Sequence, residues 1–181
     1  MGQNYALGPR LHAPMIQRRQ LLAQSDGEIT TSYIGKDKNV RVDRTDCVTA
    51  TSPVNAEPVA IVKRQGINEC GVQCKTTCLT TRGPAGTAPD PNDCRVISDA
   101  LLYDSQNIGT HLVLPVEGGV IMQFGSCKSS VGNNGALPLP YCRTDWAKIL
   151  ESLTSDCKNS GALGGQCVAP DQRWFILLNH S

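Results

Sequence analysis

ECGVQCKTTC, residues 69–78, sets three cysteines at intervals of four, and the use of those thiols decides what kind of fold the chain can have. On a helix, Cys70, Cys74 and Cys78 would share a face and, with a fourth ligand, hold a soft metal. On a strand they would again point one way, because alternate residues share a face, and would staple a sheet to its neighbours. Gly71-Val72-Gln73 and Thr76-Thr77 favour a strand. Zinc sites of this kind usually add a second close Cys or His pair, and the chain has none. The reading is therefore a strand over 69–81 whose cysteines form disulfides.

The rest of the cysteine count agrees with that reading. Nine cysteines in 181 residues exceed ordinary usage where thiols stay reduced, so the chain reads as secreted. Eight of them (Cys70, Cys74, Cys78, Cys94, Cys127, Cys142, Cys157 and Cys167) lie beyond residue 64, and Cys47 stands before it. The eight are expected to pair among themselves, with the connectivity open and Cys47 outside. The dibasic pair Lys63-Arg64 resembles a processing site of secretory precursors, and a cut after Arg64 leaves the even set intact. Arg18-Arg19 shows that such pairs also arise without that meaning. Residues 1–64 carry nine Lys and Arg against six Asp and Glu, whereas residues 65–181 carry eight against ten. The expected organisation is a largely disordered leader or pro-segment over 1–64, followed by a cysteine-rich α+β domain over 65–181. Met1 to Gln24 holds no apolar run of signal-segment length. The expectation is a true start upstream of Met1, with unconventional export or an intracellular metal-binding protein as alternatives.

Periodicity supplies the elements of the second region. Asp90-Pro91 offers an N-cap and a first-turn proline, with Asp93 near the positive end of a helix. Cys94, Ile97 and Leu101, with Val96, Ala100 and Tyr103, give that helix an apolar face. His111 to Val116 and Val120 to Cys127 read as the arms of a hairpin about Glu117-Gly118-Gly119. Ser129 to Pro140 and Gly161 to Gly165 read as loops. Trp146, Ile149, Leu150, Leu153 and Cys157 form one stripe of a second helix, capped by Thr144 or Asp145. Gln172 to Asn179 reads as a buried last strand. The order strand, helix, strand, strand, helix, strand predicts a split βαβ, ferredoxin-like fold: a four-stranded antiparallel sheet with both helices on one face, stabilised by disulfides. A weak internal repeat, from Cys94 to Phe124 and from Cys142 to Phe175, fits two such halves.

Several kinds of chemistry find little support. A net charge of +1, with no basic–aromatic stripe, argues against nucleic acid. No run reaches the length of a membrane-spanning helix. Beyond residue 64 the only histidines are His111 and His180, neither beside a nucleophile motif. Asp145 and Asp156 are read as a cap and a solvated helix position rather than as a carboxylate pair. No catalytic, cofactor-binding or metal-binding residues are expected, and the chain is read as a non-enzyme. Asn179-His180-Ser181 is a formal glycosylation triplet with little weight this close to the C-terminus.

A family resemblance adds to this reading. Asp93-Cys94 opens a helix, Phe124-Gly125-Ser126-Cys127 closes a strand, Asp145 to Ile149 lies in a second helix, Gly164-Gly165-Gln166-Cys167 follows, and Trp174 lies in a final strand. Over roughly residues 93–177 these landmarks resemble the fungal secreted necrosis-inducing effector domain and its killer-toxin-like relatives. The resemblance implies a small exported protein with disulfides that acts on host or competing cells without known catalysis. Some such toxins are cut at dibasic sites, which would suit Lys63-Arg64. The family supplies no functional residues to carry over. The leading expectation is thus a secreted effector-like or toxin-like protein that binds a protein, glycan or membrane component of a target cell. The alternatives are a small secreted hydrolase or enzyme inhibitor, and an intracellular zinc-stabilised interaction module.

Overall fold

A computed structural model describes residues 28–46, 69–80 and 87–181, and these form nine strands and two helices. In chain order these are β1 (Glu28–Ile34), β2 (Val40–Asp46), β3 (Lys75–Leu79), α1 (Pro91–Asn107), β4 (His111–Leu114), β5 (Gly119–Phe124), β6 (Cys127–Asn133), β7 (Leu139–Cys142), α2 (Arg143–Asn159), β8 (Gly164–Val168) and β9 (Trp174–His180). Seven strands make one antiparallel sheet in the order β1-β2-β5-β6-β9-β8-β3, and β4 pairs with β7 in a separate two-stranded ribbon. The four-stranded, ferredoxin-like sheet expected from the sequence is therefore incorrect.

The difference has local causes. β6 is Cys-Lys-Ser-Ser-Val-Gly-Asn, a composition that reads as loop, yet its Gly132 is where the Phe175 ring of β9 passes: a Cβ there would lie 2.4 Å from that ring. β8 likewise hides behind Gly164-Gly165, because a Cβ on Gly165 would lie 2.8 Å from the Cys157 sulfur. β7 contains Pro140, which a short ribbon tolerates because the missing N–H can face away from the partner strand. The expected hairpin between β4 and β5 does not form. The turn at Pro115 to Gly118 sends the chain on, β4 pairs with β7, and β5 pairs with β2 and β6.

Residues 28–46, expected to belong to a disordered leader, instead form β1 and β2. β2 pairs with β5 from Arg41 opposite Gln123 to Thr45 opposite Gly119, with Val40 and Val42 buried. The β1–β2 turn also seats on α1. Gly35, at φ +87°, leaves no room for a side chain because its Cβ would lie 2.8 Å from Ala100 Cβ. Its N–H points to the buried Asp104 carboxylate at 3.4 Å. Cys47, Lys63 and Arg64 lie outside the described residues.

Both helices cover the same face of the sheet. Val42, Met122, Ser129, Leu178, Gly165 and Cys78 form one cross-strand row on that face. Trp146 of α2 is fully buried there and its indole N–H donates to Ser129 Oγ at 2.9 Å. Cys157 of α2 is bonded to Cys78, and Cys94 of α1 is bonded to Cys127. α1 starts as its sequence demands: Asp90 accepts from Asn92 N at 2.9 Å and Pro91 occupies the first turn. Its buried face is Cys94, Ile97, Ser98, Ala100, Leu101 and Asp104. Tyr103, expected on that face, is exposed.

Candidate functional site

The eight cysteines beyond residue 64 form four bridges, Cys70–Cys142, Cys74–Cys167, Cys78–Cys157 and Cys94–Cys127. Around the first of these the fold gathers a group of ionisable side chains, Glu69, His111, Arg143 and Asp145. The start of β4, the end of β7, the start of α2 and the segment at residues 69–71 meet at one corner. The β4–β7 register sets His111 directly opposite Cys142. Cys142 is also the N-cap residue of α2, and with its sulfur in the bridge it makes no side-chain cap.

Most polar groups at this corner are already committed. Asp145, in the first turn of α2, accepts from Gly71 N at 2.6 Å. Arg143 donates to the carbonyls of Gly109 and His111, and burial pulls its guanidinium below the usual arginine range. The Glu69 carboxylate, 2 % exposed, accepts from the Trp174 indole N–H at 3.2 Å. Its other oxygen lies 2.6 Å from Arg173 Nη2 without the alignment of a hydrogen bond, so that contact is an ion pair. Arg173 is held in turn by Asp171, whose carboxyl is lowered below its ordinary range by those hydrogen bonds.

Tyr141 lies fully buried against Trp174, with ring centroids 4.8 Å apart. Its hydroxyl has no hydrogen-bond partner among the described residues. Burial, and then the carboxylates of Asp145 and Glu69, raise its pKa and keep it neutral.

His111 is exposed, and among the described residues no carboxylate or hydroxyl is hydrogen-bonded to its ring. A general base needs such an orienting partner and a nucleophile in reach. The Cys70 and Cys142 sulfurs, bonded to each other, and a ring nitrogen of His111 lie within 4.8 Å of one another. In the sequence His111 is set aside as a hydrolytic base for want of a nucleophile motif and Asp145 is read as a cap rather than as one of a carboxylate pair, and Glu69 and Tyr141 do not stand out. Their assembly depends on a pairing that spans 72 residues, which no local pattern records.

The landmarks behind the family resemblance form a second cluster. Asp93 accepts from both the N–H and the hydroxyl of Ser126, at 2.8 and 2.7 Å. Those bonds hold its carboxyl below the usual range. Gly125, at φ +51°, leaves room for that carboxylate, since a Cβ would come within 2.5 Å of it. Cys94–Cys127 closes the same junction. These residues fix α1 to the end of β5. Asn179, the formal glycosylation acceptor, is half-buried on β9, opposite Lys128 of β6.

A groove on the outer side of the helix pair, lined by Arg95, Lys148, Glu151, Ser155 and Lys158, offers three cations. Its buried hydroxyls are satisfied by backbone: Ser98 Oγ donates to Ala147 O and Thr154 Oγ1 to Leu150 O. No family model matches the chain, and a comparison with curated proteins finds no match.

Proposed function

We propose that the protein is a secreted, non-catalytic binding protein of effector-like or toxin-like kind, acting on a protein, glycan or membrane component of another cell. The observation that carries this reading is the commitment of the polar side chains. At the corner around Cys70–Cys142, Glu69, Asp145, Arg143 and Arg173 are spent on backbone groups, on the Trp174 indole and on each other. They hold a shape rather than await a substrate. Four disulfides, with no helix among the described residues long and apolar enough to cross a membrane, are compatible with an extracellular protein. The landmark residues on which the effector-like resemblance rests, Asp93, Cys94, Gly125, Ser126 and Cys127, fix the first helix to the end of β5 in this chain.

The test applies the oxidised full chain to host tissue or competing cells and reads saturable binding and cell damage. Binding and damage are expected to survive His111→Ala, the change that removes the one exposed candidate base at the corner, and to disappear after complete reduction and alkylation. Loss of the effect in oxidised, folded His111→Ala would overturn the non-catalytic reading and favour the secreted hydrolase.

A further inference from the structure

We propose that reductive opening of the Cys70–Cys142 bridge turns this corner into a metal site, with Cys70, Cys142 and His111 as ligands for a divalent ion of the zinc class. The inference goes beyond the binding role and does not depend on it. Three observations carry it.

The first is proximity. The two sulfurs and an imidazole nitrogen lie within 4.8 Å of one another, close enough to surround a single ion after small side-chain rotations. Two thiolates and one imidazole form a recognised zinc ligand set, with water in the fourth position.

The second is the place of this bridge in the packing. Cys94, Cys127 and Cys157 belong to the hydrophobic core, and Cys74 and Cys78 pack against it. Cys142 is buried, at 4 % exposure, but Cys70–Cys142 is the one bridge of the four with neither cysteine in the main hydrophobic cluster or packed against it. Cys70 is half-buried, as Cys74 and Cys78 are, and what sets this bridge apart is the exposed His111 directly opposite Cys142, which leaves a side from which a reductant can approach.

The third is that the corner does not rely on the bond for its shape. Glu69 stays tied to Arg173 and Trp174, and Gly71 to Asp145. The β4–β7 register and the contacts of Arg143 with the Thr110, Gly109 and His111 carbonyls hold His111 beside Cys142. With both sides fixed independently, the freed thiols remain neighbours, and such preorganisation favours metal uptake.

The chemistry balances as follows. An external dithiol delivers two electrons and two protons to the S–S bond; it leaves as a cyclic disulfide, and Cys70 and Cys142 become thiols. Metal binding then releases both thiol protons, and the two thiolates offset the charge of the divalent ion while His111 donates a neutral nitrogen.

The full-length oxidised protein, without denaturant, would be treated with graded dithiothreitol. One portion would be alkylated and mapped, and the rest desalted anaerobically and titrated with Co²⁺. The first two thiols to appear are expected at Cys70 and Cys142, with the far-ultraviolet circular dichroism retained. One Co²⁺ per chain should then give thiolate-to-metal charge-transfer absorption. His111→Ala should open the same bridge yet bind Co²⁺ at least about tenfold more weakly. The proposal fails if another bridge opens first, if the fold collapses when this one opens, if no thiolate–cobalt absorption develops, or if His111→Ala binds as tightly as the parent.

Discussion

At one edge of the main sheet, β2 buries Val40 and Val42, and the β1–β2 turn presses Gly35 onto Ala100; among the described residues no disulfide reaches this hairpin. At the opposite edge, Lys75, Thr76 and Thr77 of β3 are exposed, and its last two residues are only half-buried. There Cys70, Cys74 and Cys78 carry three bridges in nine residues. The outermost strands are alike in burial, since β1 is exposed from Ile29 to Tyr33, but β1 is joined by its turn to the buried β2 whereas β3 is joined to its neighbours by cross-links. An edge strand that covers little apolar surface gains little from desolvation, so its attachment rests on covalent constraint. The hairpin at the other edge covers a row of core residues and needs no such constraint.

The largest effect is expected from removing the hairpin. A chain beginning at Gln65 loses the burial of Val40 and Val42 and uncovers Val120 and Met122 on β5. At about 1.5–3 kcal/mol per buried aliphatic side chain, the loss comes to about 5 kcal/mol or more. For a domain of this size the melting temperature should fall by at least about 10 °C, bridges intact. Calorimetry of the two oxidised chains decides it, and equal melting temperatures would show that the hairpin is an accessory to the fold.

An intermediate effect is expected from the other edge. Replacing Cys78 and Cys157 together with alanine should cost about 2–4 kcal/mol. Native-state hydrogen exchange should then show faster exchange confined to β3 and β8, with the β2 and β5 amides still protected. Loss of protection spread evenly over the sheet would dissolve the contrast between the edges.

The smallest effect concerns pH. The folded-state pKa of Asp93 is lowered by its hydrogen bonds to Ser126, so the carboxylate stabilises the fold above the pKa of the unfolded chain, near 3.8. That contribution is lost as pH falls from this value through the folded pKa. Urea melts between pH 5 and pH 2 should accordingly show a shallower acid loss for Asp93→Asn than for the parent. The same slope in both would remove Asp93 from the acid response.

The legible parts of the fold are those whose side chains report their own surroundings. The stripe from Trp146 to Cys157 and the Asp90-Pro91 start marked both helices, and the apolar run from Trp174 marked β9. β6 and β8 were hidden because Gly132 and Gly165 are set by neighbours that pass close, the Phe175 ring and the Cys157 sulfur, and not by local preference. β1 and β2 were hidden because one face of the hairpin is open: Ile29 and Tyr33 are exposed, and Val40 and Val42 alone are too few to stand out as a pattern. The even cysteine set could be counted, but the corner at Cys70–Cys142 exists only once β4 pairs with β7, a contact that the hairpin reading excluded.

The absence of a bridge to the β1–β2 hairpin has a consequence for what a proteolytic nick does. A cut between Cys78 and Asp90 separates no parts, because three disulfides still join Cys70, Cys74 and Cys78 to Cys142, Cys167 and Cys157. A cut between Asp46 and Glu69 instead makes the hairpin a separate peptide, tied to β5 and α1 among the described residues by non-covalent contacts. Its retention then becomes a bimolecular equilibrium. The nicked protein would be whole when concentrated and would shed two strands on dilution, exposing the β5 edge with its unpaired backbone and the apolar side chains beneath it.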